Sequence, residues 1–256
     1  MNLYRADIHI HTSCSPSADL EMSPANIVER SLEKGIHVIG ITDHNSTAQV
    51  EVISNIAEKA GIYVLPGAEI TTSENVHCLV YMPDLKGLKF LQELIDENTV
   101  FIKNNPKVYG YQIIVDEEDN LIEEISHLLI VPLKVSLTAL CNWVHSHNGI
   151  IIPAHIDRPV NGLLMHYGKI PDNLNFDALE LSPYTQADIL IKEEPRISEY
   201  TLIRSSDSHV INTIGNNSSI FSMKELSFSE IKMALQKEGE RKVIEKSDIH
   251  TSIHKF

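Results

Sequence analysis

Residues 3–11 read Leu-Tyr-Arg-Ala-Asp-Ile-His-Ile-His. The alternation predicts a β-strand, in which side chains two apart share a face. Asp7, His9 and His11 then point one way, and Ile8 and Ile10 the other. Two imidazoles on neighbouring same-face positions can converge on one metal ion, although an alternating edge strand has the same pattern. The next residues continue the order. Ser23-Pro24 is a good N-cap and N1 pair, residues 24–34 have helical spacing, and Gly35 suits the position just past a helix. Residues 37–42 form a short β-branched strand, residues 47–59 a helix ended by Gly61, and residues 62–65 a further strand.

The same pattern returns later. Residues 137–146 read as a helix and residues 150–152 as a buried strand. Residues 178–181, 201–205 and 220–223 read as strands, and residues 229–237 as a helix capped by Ser227 or Ser229. Strands alternating with helices predict a largely parallel α/β sheet, and enough units recur for a barrel. Residues 86–135 break the rhythm. They hold a helix over 88–97, a polar loop at Asn104-Asn105-Pro106, and a small hairpin about Asp116-Glu117-Glu118-Asp119. Fifty residues make a poor core of their own, so this segment is expected to be an insertion in a single domain spanning residues 1–256.

A chain of 256 residues can bury a sizeable core without disulfides. The odd count of three cysteines, Cys14, Cys78 and Cys141, and the lack of a C-x-x-C pair suggest neither a disulfide framework nor a zinc ribbon. The net charge of −14, with no run of Lys or Arg, disfavours long nucleic acid as a partner. It leaves room for a small phosphorylated molecule, because bound metal ions supply local positive charge. With no leader-like N-terminus and no long apolar run, the expectation is a cytoplasmic protein without a membrane partner. Protein partners are not legible.

Seven of the thirteen histidines, His37, His127, His145, His147, His166, His250 and His254, have no companion group. The other six stand near carboxylates at predicted strand ends. Thr42-Asp43-His44 closes the second strand and Glu69 follows the third. His155 ends Ile150-Ile151-Ile152-Pro153, and Asp207-Ser208-His209 follows Leu202-Ile203. His77 differs, since it opens its strand. In α/β barrels catalytic groups come from the C-terminal ends of several strands, so these groups are expected on one rim.

Taken in order, Asp7-Ile8-His9-Ile10-His11, Thr42-Asp43-His44, Glu69, His77, Ala154-His155 and Ser206-Asp207-Ser208-His209 resemble the polymerase and histidinol phosphatase (PHP) family. The resemblance runs from residue 7 to residue 209. It implies a distorted (β/α)7 TIM-like barrel and a site of two to three divalent transition-metal ions. Zinc, manganese and iron suit such mixed imidazole and carboxylate ligands. Carried over by position, it implies that His9, His11, Glu69 and Asp207 bind a first ion. Glu69 would bridge to a second ion completed by His77 and His155, and His44 and His209 would hold a third. Asp19 is the implied remaining ligand, with Glu21 as its competitor in a long loop. Asp7 and Asp43 would orient ligand imidazoles.

The activity implied is phosphoester hydrolysis by a hydroxide bridging two metals, with a small phosphomonoester as the favoured substrate. Arg158, three residues after His155, offers a guanidinium fork for phosphate, against a plain pairing with Asp157. The alternatives are a phosphodiesterase or exonuclease acting on nucleotides, and a non-catalytic module that stabilises a partner. An amidohydrolase also opens with H-x-H, but Thr42-Asp43-His44 and Asp207-Ser208-His209 fit the PHP pattern better.

Overall fold

A computed structural model describes residues 1–244; His250 and His254 lie outside the described residues. In chain order the first elements are β1 (Asn2–Ile10), α1 (Pro24–Glu33), β2 (Val38–Ile41), α2 (Val50–Lys59), β3 (Tyr63–Thr71) and β4 (His77–Tyr81). They are followed by α3 (Leu85–Asn98), α4 (Pro106–Tyr109), β5 (Ile113–Val115), β6 (Leu121–Glu124), α5 (Leu137–Ser146) and β7 (Ile150–Pro153). The last are α6 (Leu163–Tyr167), β8 (Leu179–Glu180), α7 (Ala187–Glu193), β9 (Leu202–Ile203), β10 (Ser219–Met223), α8 (Phe228–Leu235) and β11 (Lys242–Ile244).

Seven strands hydrogen-bond in the order β11-β10-β1-β2-β3-β4-β7. β1, β2 and β3 run parallel. β4 runs antiparallel to both β3 and β7, so β7 has the sense of β3. The sheet carries on through β8, whose preceding Asp177 donates its amide to Ile151 O, and through β9, parallel to β8. A parallel bridge between Ile10 and Ser208 brings the segment after β9 back beside β1. The result is a curled α/β sheet, almost closed. It is mixed where regular β/α alternation would be wholly parallel, because β4 follows β3 through a five-residue turn (72–76) too short for a crossover.

Apolar packing follows the sequence pattern. Ile8, Val38, Leu65, Leu79, Ile152, Ile203 and Phe221 join in one buried cluster. Ile27, Ile39, Ile41, Val50 and Ile53 pack α1 and α2 against the sheet. β1 and β2 approach so closely at Gly40 that a Cβ there would sit 2.2 Å from Ile8 O; only glycine fits. Ser227 caps α8, accepting from Glu230 N.

The segment expected to break the rhythm, residues 86–135, opens with a helix packed on the main sheet. α3 buries Leu88, Leu91 and Ile95 and contacts β3, so it packs on the curled sheet. Residues 99–135 hold no strand of the seven-stranded sheet. Their hairpin, β5 with β6, forms where the sequence suggests. It lies over the loop that follows β1: Ile113 N donates to Ser13 O, Ser17 N donates to Tyr109 O, and Ile125 and Leu129 pack on Cys14. The polar loop at Asn105 is a one-turn helix, α4, capped by the Asn105 side chain.

Candidate metal centre

The parallel strands β1, β2, β3, β7, β8 and β9 all end at one rim, and five of the expected groups stand at or just past those ends. β4 runs the other way, so its first residue lies at the same rim: Thr71 is paired with His77 across β3 and β4. The reversed strand explains why His77 opens its element while His11, His44, His155, Asp207 and His209 follow the ends of theirs. Glu69 lies within β3, because that strand continues to Thr71 along β4.

Glu69 is fully buried and surrounded by five imidazoles. Its Oε1 is 2.9 Å from His77 Nδ1, 3.2 Å from His155 Nε2 and 3.5 Å from His9 Nε2. Its Oε2 is 2.9 Å from His44 Nδ1 and 3.5 Å from His11 Nε2. Asp207 Oδ1 faces His9 Nε2 at 3.3 Å and His11 Nε2 at 3.2 Å. His209 stacks on His11 with ring centroids 4.0 Å apart. Ligand atoms of His9, His11 and Glu69 fall within 4.8 Å of one another, as do those of His44, Glu69 and His77, and those of His11, His44 and His209. Eight of the nine expected ligands are thus brought together.

Asp19 is the ninth. Its amide donates to His209 O, and its carbonyl accepts from Met22 N. That turn leaves both the Asp19 and the Glu21 side chains exposed. Among the described residues neither carboxylate joins the His11, His44 and His209 group.

The donor set fits a cation. His44 Nδ1 and Glu69 Oε2 are buried and 2.9 Å apart, yet they are not aligned as a hydrogen bond. His9 Nε2 and His11 Nε2 face each other at 3.1 Å with Asp207 Oδ1 beside both. Such a convergence of acceptors calls for positive charge between them. Without it, protons must serve. Burial opposes charge on His9, but Glu180, Asp207 and Glu69 outweigh it and hold the imidazole well above its usual range. Burial likewise opposes ionisation of Glu69, yet His77, His44 and His9 hold its carboxyl well below the usual carboxylate range. His11 is pushed well down by burial and by His209 and His44.

Strain marks the same rim. His155 (φ +30°), Asp207 (φ +51°) and Asn45 (φ +43°) have left-handed backbones that non-glycine residues seldom adopt. Such strain collects at functional sites, where surrounding contacts enforce it. Asn45 shows how: its Oδ1 accepts from Thr71 N and its Nδ2 donates to Val131 O.

Two expectations about supporting residues change, and one competing pairing is absent. Asp7 does not hold an imidazole; it accepts from Ser206 N (2.9 Å) and Gly215 N (2.8 Å). The register of β1 against β2 shifts between Asp7 and Ile10, and the strict alternation breaks there. Asp43 reaches an imidazole only through Ser15, whose hydroxyl donates to Asp43 Oδ1 and lies 3.0 Å from His11 Nδ1. Arg158 does not pair with Asp157; that carboxylate accepts from Ser182 N and Thr185 Oγ1. Arg158 instead donates from Nη2 to Asp207 Oδ2 at 2.6 Å.

The sequence reading missed Glu180 and Asn161. Glu180 is 2% exposed and its Oε2 is 2.9 Å from His9 Nδ1. The signal was a carboxylate inside the apolar run Ala-Leu-Glu-Leu. The Asn161 amide is 2.7 Å from His77 Nε2, and its carbonyl accepts from His77 N; no local signal pointed to it. The cavity of about 760 Å³ lined by Asp177, Arg196, Thr201 and Lys237 precedes β8 and β9, at the opposite end from this cluster.

The PHP domain profile matches residues 7–157, more than half the chain. The chain belongs to the PHP domain family. Among curated relatives, it is 25% identical over 276 aligned residues to the uncharacterised protein YqxK of Bacillus subtilis, covering 93% of this chain and 63% of YqxK. A 5'-3' exoribonuclease of Haemophilus influenzae is 31% identical over 67 residues, 26% of this chain and 23% of that enzyme. Among solved structures, this PHP fold is similar to the lesion-specific endonuclease PfuEndoQ of Pyrococcus furiosus. The TM-score is 0.71 at 20% identity, over 94% of this chain and 58% of that one. It is also similar to a Bifidobacterium adolescentis protein assigned as a metal-dependent phosphoesterase, with TM-score 0.57, 18% identity, and 91% and 96% coverage. The chain thus spans about three fifths of YqxK and of PfuEndoQ.

Proposed function

We propose that this PHP domain is a metal-dependent hydrolase of phosphoesters, with a small phosphomonoester as substrate. The observation that carries the reading is the Glu69 carboxylate, buried among five imidazoles with Asp207 beside two of them. His9, His11, Glu69 and Asp207 would hold one ion, Glu69, His77 and His155 a second, and His44 and His209 a third, with Asp19 placed to close that last set only by turning inward. Divalent ions there supply a Lewis acid for phosphoryl oxygens and a source of hydroxide near neutral pH.

The chain's own residues then bind and orient. Arg158 stands beside Asp207 at the open edge of the cluster, its side chain 41% exposed. Its planar fork matches phosphate oxygens, and the contact to Asp207 pre-aims it. Gly162 closes the turn that carries it, since a Cβ there would meet Arg158 O at 2.3 Å. No Ser or Cys nucleophile is needed. Cys14, Cys78 and Cys141 are buried, and burial pushes each thiol up, away from reactivity.

A net charge of −14 supports a small ester over a polyanion. The second reading is a phosphodiesterase on nucleotides, favoured by the likeness to an endonuclease and by the short match to an exoribonuclease. Release of phosphate from sugar, amino-alcohol and nucleotide monoesters should be measured beside cleavage of oligonucleotides, with bound metal quantified in the same preparation. Monoester turnover supports the first reading. Cleavage of oligonucleotides alone supports the second, and neither activity in fully metallated protein overturns both.

A further inference from the structure

The two halves of the cluster are supported differently. On one side, His9 Nδ1 meets Glu180 Oε2 at 2.9 Å. An ionised carboxylate only accepts, so His9 keeps a proton on Nδ1, and a cation that displaces the proton from Nε2 would meet a lone pair directed toward Asp207 and His11. Glu180 is itself held, accepting from His155 N at 3.1 Å. His11 follows the same rule through one intermediary. The Ser15 hydroxyl donates to Asp43 at 2.6 Å, so it accepts from His11 Nδ1. Both imidazoles beside Asp207 are therefore backed by carboxylates.

On the other side the backing is neutral or absent. His77 presents Nδ1 to Glu69, and its Nε2 meets the Asn161 amide at 2.7 Å. Asn161 Nδ2 is the amide atom facing Nε2; when Nδ1 serves as a ligand, Nε2 carries the proton and the amide turns its oxygen round to accept it. His155 Nδ1 is buried with no partner. A carboxylate behind a ligand histidine fixes its tautomer and raises its basicity, and removing such a partner typically costs 10- to 100-fold in metal affinity. A neutral amide fixes the ring but adds no charge.

Resting on the reading of this cluster as a metal centre, we infer that its two halves bind metal unequally. The half built on His9, His11 and Asp207 holds its ion tightly, and the half built on His77 and His155 exchanges its ion. Glu180 and Asn161 set the difference as positioning residues, each acting through one histidine.

The test is a manganese(II) titration of the metal-stripped full chain, followed by calorimetry and by the paramagnetic signal of free manganese. The parent protein should show two leading steps of unequal affinity, and Asp207→Asn should abolish the stronger one, assigning it. Glu180→Gln keeps size and one acceptor oxygen but removes the charge; it should weaken the stronger step about 10- to 100-fold and leave the weaker in place. Asn161→Asp puts a carboxylate behind His77 at a half-buried position and should tighten the weaker step by about tenfold. Unchanged affinities in both variants, or equal shifts of both steps, would overturn the inference, and Asn161→Asp decides it alone if Glu180→Gln does not fold. A parent protein that binds no manganese, zinc or iron sinks the metal-centre reading as well. Parent protein that binds two ions and turns over substrate, beside variants that change nothing, sinks this inference only.

Discussion

Arg158 Nη2 donates to Asp207 Oδ2 at 2.6 Å, while the other oxygen of Asp207 faces the imidazoles of His9 and His11. One carboxylate thus joins the cluster to the only guanidinium that the chain sets against it among the described residues.

The first prediction concerns that fork. Arg158→Lys keeps the charge and loses the paired donors. Steady-state kinetics should show a loss of one to two powers of ten in kcat/KM, about 1.4–2.7 kcal/mol, and weaker inhibition by inorganic phosphate. Parent-like values for both would mean that the guanidinium serves only Asp207.

Glu69→Gln removes the charge shared by five imidazoles while keeping the shape. Elemental analysis should find both neighbouring ions depleted, and turnover should fall by orders of magnitude with the far-UV spectrum unchanged. Full metal occupancy with near-normal turnover would remove Glu69 from the bridging role.

Metal content is expected at two to three ions per chain, and their removal should cost stability. An ion present at 100 times its Kd adds about 2.7 kcal/mol, which for a chain of this size is roughly 5–10 °C in Tm. Thermal melts with and without a chelator measure this, and identical melts of loaded and stripped protein would contradict it.

Burial pushes the Asp7 carboxyl up to about 6 from its ordinary 3.8, against the amides of Ser206 and Gly215. The folded protein therefore holds this proton where the unfolded chain has lost it, and stability falls as pH rises from about 4 to 6. Asp7→Asn should flatten that stretch of the stability–pH curve in the stripped protein. A parent and variant with parallel curves would show that Asp7 ionises normally.

Residues 99–135 lie over the loop after β1 through Ser13, Cys14 and Ser17, close to His11. Shortening the turn at Asp116–Asp119 should alter relative rates among substrates more than metal binding. Unaltered selectivity in a folded, metallated variant would assign the segment to packing alone.

Local sequence carried much of this. The strand at the N-terminus, the Pro24 start of α1 and the Ser227 cap of α8 depend on near-neighbour chemistry, and the structure has all three, although the Ser23 hydroxyl donates to Asp119 and caps nothing. Seven of the eight gathered candidates were legible as titratable residues marking predicted strand ends in apolar runs, whereas His77, which opens its strand, was singled out only by the order of the family motifs. The supporting partners were not legible. Glu180 lies 171 residues from His9 and Asn161 lies 84 from His77, and no periodicity encodes such a meeting. Asp7 shares the pattern of His9 and His11, yet a register shift in β1 sends it to a different task.

By itself, then, the sequence determined which residues could serve the centre and which segments could form strands, since both follow from side-chain chemistry and short-range spacing. Only the tertiary structure decided which nitrogen of each histidine faces inward, that Arg158 pairs with Asp207, and that Asp19 stands outside on its turn. These are matters of tautomer, side-chain orientation and strand sense. The reversed β4 puts His77 on the rim, and the carboxylate or amide behind each ring selects its free lone pair, through contacts between residues far apart along the chain.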